Sequence, residues 1–72
     1  MKRSEFAVVI ERDAEGYYVA SVPELPGCHT QAKSLDVLMR RVREAIDVCV
    51  DQKSDSAHRP EFIGVQRVLI EV

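Results

Sequence analysis

The fold is decided by the stretch at residues 16–30, GYYVASVPELPGCHT. Over residues 17–22, apolar side chains follow the two-residue period of a β-strand. Pro23 ends this strand, because proline has no backbone N–H to donate to a neighbouring strand. A stiff turn with two prolines and a glycine follows, in which Leu25 is expected to tuck under the sheet. A short third strand is predicted at residues 28–32.

An earlier strand and a tight turn precede this stretch. Residues 5–11 alternate with the strand period, and both of their faces are largely apolar, which predicts a central strand rather than an edge. Residues 13–16, DAEG, predict a hairpin loop in which Gly16 takes a positive φ. The first two strands are therefore expected to pair as an antiparallel hairpin.

One amphipathic helix and one further strand follow. Residues 35–52 carry an apolar stripe that begins at the first of them, and Ser34 is well placed to cap the helix. Residues 53–61 are polar and predict a surface loop, and residues 64–72 predict a final strand. The order β-β-β-α-β describes a single α+β domain, with one helix packed on a small, mainly antiparallel sheet.

The small size of the chain favours self-association. A chain of 72 residues buries only about 60% of its unfolded surface, and such a core rarely supplies more than about 3–5 kcal/mol. The helix also has more apolar surface than one sheet face needs, since Val37, Met39, Val48 and Val50 widen the stripe. We therefore expect a homo-oligomer, either a dimer or a larger assembly.

Composition excludes several classes of protein. The formal net charge of −2 argues against a broadly basic surface that binds nucleic acid directly. No apolar run approaches the ~20 residues that span a bilayer, and the N-terminus lacks a signal segment. Cys28 and Cys49 lie in unrelated contexts without metal-ligand spacing, so both are expected to be reduced. The sequence predicts a cytoplasmic protein with no membrane contact, no metal and no cofactor.

No arrangement of residues predicts catalysis. Glu11, Asp13 and Glu15 lie at a strand end and in a turn, where carboxylates are ordinarily solvated rather than convergent on a metal. Cys28 and His29 are neighbours on a strand, so they point to opposite faces and cannot form a nucleophile–base pair. We expect that the protein is not an enzyme.

Several segments resemble the HicB-like antitoxin family. The most specific is VPELPGC at residues 22–28, in the context of the arm EGYYVA at residues 15–20. The opening strand FAVVIE at residues 6–11, REAI at residues 43–46 and FIGVQ at residues 62–66 are also similar to the family. The resemblance implies a partial ribonuclease H-like fold without an established catalytic centre.

The resemblance also implies a function, which is to bind and neutralise a small HicA-like, mRNA-cleaving toxin. The segment from Glu11 to Glu24 holds four acids and one base, and an RNA-cleaving partner carries positive charge where phosphates bind. We expect four partner-binding residues: Asp13, Glu15, Tyr17 and Glu24. Many family members append a DNA-binding domain; this sequence ends at Val72, so operator binding is not expected of it. The alternative is a stand-alone homo-oligomeric scaffold or small-ligand-binding module without a toxin partner.

Overall fold

A three-stranded antiparallel sheet followed by one helix forms the α+β fold of the chain. The computed structural model describes residues 4–52 and 59–72. The elements are β1 (Val9–Arg12), β2 (Tyr18–Ser21), β3 (His29–Ala32) and α1 (Leu35–Gln52). The three predicted strands and the predicted helix of the first 52 residues are therefore confirmed, with strands one to three residues shorter than expected.

The strand order is β1-β2-β3, which places β2 in the centre. The prediction that the first strand is central is therefore wrong, because β1 forms one edge of this sheet. It pairs only with β2, with Ile10 opposite Ala20 and Arg12 opposite Tyr18. A strand with apolar residues on both faces usually pairs with a strand on each side, whereas β1 pairs with one strand among the described residues.

The helix begins where Ser34 caps it. The Val37 backbone N–H donates to Ser34 Oγ at 3.3 Å, and the Leu38 N–H donates to the Ser34 carbonyl at 3.0 Å. The helix packs over β3 and β2, and no Cα atom of α1 comes within 8 Å of one in β1. The apolar stripe is buried at Leu38 and Val42, but Leu35 is 48% exposed, so the buried stripe begins three residues later than predicted.

The core lies between the sheet and α1. Its buried members come from β2, the proline turn, β3 and α1: Ala20, Val22, Leu25, Cys28, Ala32, Leu38 and Val42. Leu25 is fully buried, as predicted. The turn that carries it is closed by three backbone hydrogen bonds of 2.9–3.0 Å, which join Val22, Leu25 and Cys28 in a ring. The proline turn is thus part of the core.

The C-terminal segment departs from the sequence-based prediction. Residues 59–72 form neither helix nor strand, so the predicted final strand at residues 64–72 is not formed by the chain alone. A strand requires the backbone of a neighbour, and no described strand pairs with this segment. Six large apolar side chains in it are exposed: Ile63, Val65, Val68, Leu69, Ile70 and Val72. Of the predicted loop at residues 53–61, residues 53–58 lie outside the described part of the chain.

Candidate partner-binding surface

Asp13 organises the hairpin loop between β1 and β2. Its Oδ1 accepts hydrogen bonds from the backbone N–H groups of Glu15 at 3.0 Å and Tyr17 at 2.9 Å. Its own N–H donates to the Tyr17 carbonyl at 2.9 Å, and its carbonyl accepts from the Gly16 N–H at 3.1 Å. One exposed carboxylate therefore holds the loop together as an Asx-type turn. The spacing Asp-x-x-Gly is a signal by which this role could have been predicted.

Gly16 closes the loop in the left-handed region, as predicted, with a φ of 91°. A Cβ built there meets no atom within 4 Å, so the requirement for glycine comes from the backbone and not from crowding. The Glu15 side chain is exposed beside it, and only its backbone takes part in the hydrogen bonds of the loop. The loop thus presents two carboxylates, those of Asp13 and Glu15, on a defined backbone.

Each of the two tyrosines lies beside a cation. The Lys33 ammonium lies 5.5 Å from the centre of the Tyr17 ring, and the Arg12 guanidinium lies 5.5 Å from that of Tyr18. Tyr17 is half-buried and lines a shallow groove of about 400 Å³ that reaches the start of α1. The hairpin end therefore combines acidic loop residues with an aromatic ring and nearby basic groups.

Glu24 lies away from the other three predicted partner-binding residues. It follows β2, whereas Asp13, Glu15 and Tyr17 precede that strand, so the two groups occupy opposite ends of the sheet. Its Oε1 accepts a hydrogen bond of 3.1 Å from the Ala7 backbone N–H, in a partly buried position. Glu24 therefore ties the residues before β1 to the proline turn, which the sequence did not reveal.

The side chains expected to be inert are placed as predicted. Cys28 is buried and His29 is exposed, on opposite faces of the strand. Within residues 4–52 and 59–72, no three or more His, Cys, Asp or Glu side chains are grouped so that they could hold a metal ion. In the same part of the chain, no helix is both long enough and apolar enough to cross a bilayer.

A second groove was not foreseen from the sequence. It lies between the residues before β1 and one side of α1, and its volume is about 910 Å³. Its apolar lining is supplied by Phe6, Val8, Met39, Val42, Ile46 and Val50. Two features of the sequence could have predicted this groove: the apolar faces of residues 5–11 and the apolar residues that widen the helix stripe. Both contribute side chains to it.

Comparison with known proteins gives a consistent family assignment. The family model described as "HicB_like antitoxin of bacterial toxin-antitoxin system" matches residues 6–71. A UPF0150 protein of Archaeoglobus fulgidus is 58% identical over 67 residues, which cover 93% of this chain and 96% of the relative. The UPF0150 protein ssr1258 of Synechocystis is 40% identical over 70 residues, 97% of this chain and 100% of the relative. A Thermotoga maritima UPF0150 protein is 31% identical over 70 residues, 96% and 93% of the two chains.

Proposed function

Because the chain belongs to the HicB-like antitoxin family, we propose that it is the antitoxin of a cytoplasmic toxin–antitoxin pair and neutralises a HicA-like, mRNA-cleaving toxin. The observation that carries this proposal is the family match over residues 6–71, which includes every described strand and the helix. The protein acts by binding and contributes no catalytic step of its own.

The hairpin end is the proposed contact surface. A protein that cleaves RNA needs positive charge where phosphates bind, and a carboxylate held in a defined position can occupy that charge in place of a phosphate. The loop presents Asp13 and Glu15 on a backbone closed by the hydrogen bonds to Asp13 Oδ1. Such a loop loses little conformational entropy on binding, which favours affinity.

Tyr17 adds apolar contact area next to these carboxylates. It is half-buried, so part of the ring remains accessible, and tyrosine is enriched at protein interfaces for its combination of apolar body and polar tip. Glu24 is proposed as a second, separate contact at the other end of the sheet. Since it also binds the Ala7 N–H, its substitution tests the fold as well as the interface.

Co-expression in cells tests the proposal. The toxin encoded beside this protein is expressed from an inducible promoter, with and without this chain, and growth is recorded. The expected result is growth arrest with the toxin alone and recovery with both, together with a complex that can be isolated. If arrest persists while this protein is soluble and abundant and no complex forms, the scaffold or ligand-binding alternative replaces the antitoxin function.

A matched pair of charge variants tests the surface. Glu15→Lys reverses a loop charge without removing a hydrogen bond of the loop, because only the Glu15 backbone N–H takes part. Glu44→Lys makes the same change on the exposed side of α1. We expect Glu15→Lys to slow association with the toxin roughly 10-fold at low salt and to reduce the salt dependence, with Glu44→Lys near wild type. Equal association rates for the two variants would remove the hairpin end from the interface.

A further inference from the structure

Among the described residues, the C-terminal segment has no strand to pair with, and the edge of β1 with the nearby groove has no strand to cover it. We propose that residues 64–72 of one copy lie along the edge of β1 and in the adjoining groove of a second copy, and that two copies exchange these segments reciprocally. This inference concerns the protein alone and does not depend on the proposed antitoxin function.

The backbone of β1 is open on the side away from β2. The N–H groups of Ala7 and Asp13 both point to the β2 side. The Ala7 N–H donates a hydrogen bond to Glu24 Oε1, and the Asp13 N–H donates one to the Tyr17 carbonyl. Because backbone groups alternate in direction along a strand, Ile10 and Arg12 direct their N–H and C=O groups outward. Within the described residues, no strand pairs with this edge, although residues 5–11, which lead into β1, have the two largely apolar faces of a central strand.

The groove leaves apolar surface uncovered on the helix side of the same edge. The helix packs on β3 and β2, and its Cα atoms stay more than 8 Å from those of β1. Ile10 shares a face with the buried Ala20 yet is 44% exposed, and Met39 on α1 is 40% exposed. The groove of about 910 Å³ begins at the residues just before β1 and offers a fourth strand an apolar floor from Phe6, Val8 and α1, with charged residues of α1 and Arg59 around it.

The C-terminal segment has the pattern that this position requires. Its residues alternate, so that Val68, Ile70 and Val72 share one face and Leu69 lies on the other. These three apolar side chains have the same two-residue spacing as Phe6, Val8 and Ile10 on the groove side of β1. This spacing matches whether the two segments pair in the parallel or the antiparallel direction.

Charge is consistent with the same alignment. When Val68, Ile70 and Val72 face Ile10, Val8 and Phe6 in antiparallel order, Arg67 lies opposite Glu11. In the parallel order, Arg67 lies beside Glu5 instead. Both carboxylates are exposed, so each arrangement brings an opposite charge to Arg67 on the outer face of the sheet.

The position of the segment favours a second copy over its own groove. The Arg59 guanidinium lies 5.7 Å from the centre of the Phe6 ring and lines the groove, whereas none of residues 60–72 lines it. Leu69 is 98% exposed, and the described chain extends 45 Å along its longest axis and 18 Å along its shortest. A segment held out in this way reaches a neighbour, and a reciprocal exchange closes into a two-fold dimer.

The area involved is sufficient for a specific dimer. A fully buried aliphatic side chain removes roughly 80 Å² of apolar surface from water. For the three side chains on the groove face, Val68, Ile70 and Val72, two exchanges bury on the order of 1,000 Å² when both surfaces are counted, which reaches the lower limit for a specific interface. Insertion of one copy's segment into its own groove would bury the same surface within one chain and leave a monomer.

Isotope-filtered nuclear Overhauser spectroscopy distinguishes the two arrangements. Equal amounts of ¹³C-labelled and unlabelled protein are unfolded together, refolded and measured. The expected result is a mass of twice 8.1 kDa by light scattering and Overhauser contacts between copies that join Ile70 or Val68 methyl groups to Val8 or Ile10. A monomer, contacts within one copy only, or a dimer whose Ile70 methyl groups do not approach β1 would each overturn the proposal.

A matched pair of variants provides an independent test. Ile70 and Val48 are both exposed in the single chain, at 69% and 54%, so an aspartate at either position is compatible with the fold. We expect Ile70→Asp to raise the dissociation constant of the dimer more than 100-fold, because each dimer contains the change twice, and Val48→Asp to leave it within about 3-fold. If Val48→Asp dissociates the dimer and Ile70→Asp does not, the interface is formed by α1 and the exchange is excluded.

Discussion

The two edges of the sheet differ in how their backbone is protected. On β3, the outward carbonyl of Gln31 accepts a hydrogen bond of 2.8 Å from Arg41 Nη1, and the exposed residues are the polar His29 and Gln31. On β1, the outward residues are Ile10 and Arg12, Ile10 is 44% exposed, and a groove that contains the apolar Phe6 and Val8 lies at the residues just before the strand.

This difference indicates which edge is used for pairing. Proteins protect an edge strand from association by polar residues, by charge or by covering it, and the β3 edge has the first two of these. The β1 edge instead offers backbone groups and apolar surface together, which is the combination that a further strand recognises. The contrast favours occupation of β1 by the C-terminal segment of a second copy and leaves β3 as an exterior edge.

The largest effect is expected from a charge placed on the β1 edge. Ile10→Lys puts an ammonium group where the exchanged segment packs, and we expect the dimer to weaken by about 3 kcal/mol or more, summed over both copies. His29→Lys introduces the same group at the β3 edge and should leave association unchanged. Sedimentation equilibrium of both variants measures this; a dimer that survives Ile10→Lys contradicts the assigned edge.

A smaller effect is expected at the tie between Glu24 and the residues before β1. Glu24→Ala removes the acceptor of the partly buried Ala7 N–H, and we expect the free energy of unfolding to fall by about 1–2 kcal/mol. Glu24→Gln keeps an oxygen acceptor and should lose less than half of this. Urea denaturation compares the two variants, and equal losses would show that the charge rather than the hydrogen bond matters.

The hairpin loop provides a change that affects the fold without affecting the edge. In Gly16→Ala the only expected cost is that of an alanine at a positive φ, since no atom lies within 4 Å of the new Cβ. We expect the free energy of unfolding to fall by about 1 kcal/mol. Gly64→Ala also meets no atom within 4 Å and is the control, with no expected loss. Unfolding midpoints measure both, and an unchanged midpoint for Gly16→Ala would place Gly16 outside the left-handed region.

The smallest effect on stability is expected at the β3 edge. Arg41→Ala removes the exposed hydrogen bond to the Gln31 carbonyl, which should cost about 0.5 kcal/mol or less. The variant should nevertheless form species larger than the dimer at high concentration, because it exposes the second edge. Light scattering across a concentration series measures this, with Arg40→Ala as the control on the same helix.

Features set by neighbouring residues were predicted well from the sequence. Ser34 caps α1, Gly16 has a positive φ and Leu25 is buried, because each depends on local backbone geometry or on the proline turn. The order of three strands and a helix followed from the same local signals. The hydrogen bonds of Asp13 and Glu24 were missed, since they require knowledge of where a side chain meets a particular backbone group.

The errors concern contacts with distant parts of the chain. Residues 5–11 were predicted as a central strand and lie at an edge, and residues 64–72 were predicted as a strand and form none within the described chain. Periodicity reports that a segment is suited to a sheet, but it does not identify its neighbour. Both discrepancies have a single physical explanation if these two segments pair between copies.

Amide hydrogen exchange, followed residue by residue by NMR, measures the difference between the two edges most directly. In the assembled protein, the outward N–H groups of Ile10 and Arg12 should exchange as slowly as the inward N–H of Glu11, because the exchanged segment accepts them. The outward N–H of Gln31 should exchange rapidly. Rapid exchange at Ile10 and Arg12, at the rate of Gln31, would contradict the occupation of the β1 edge.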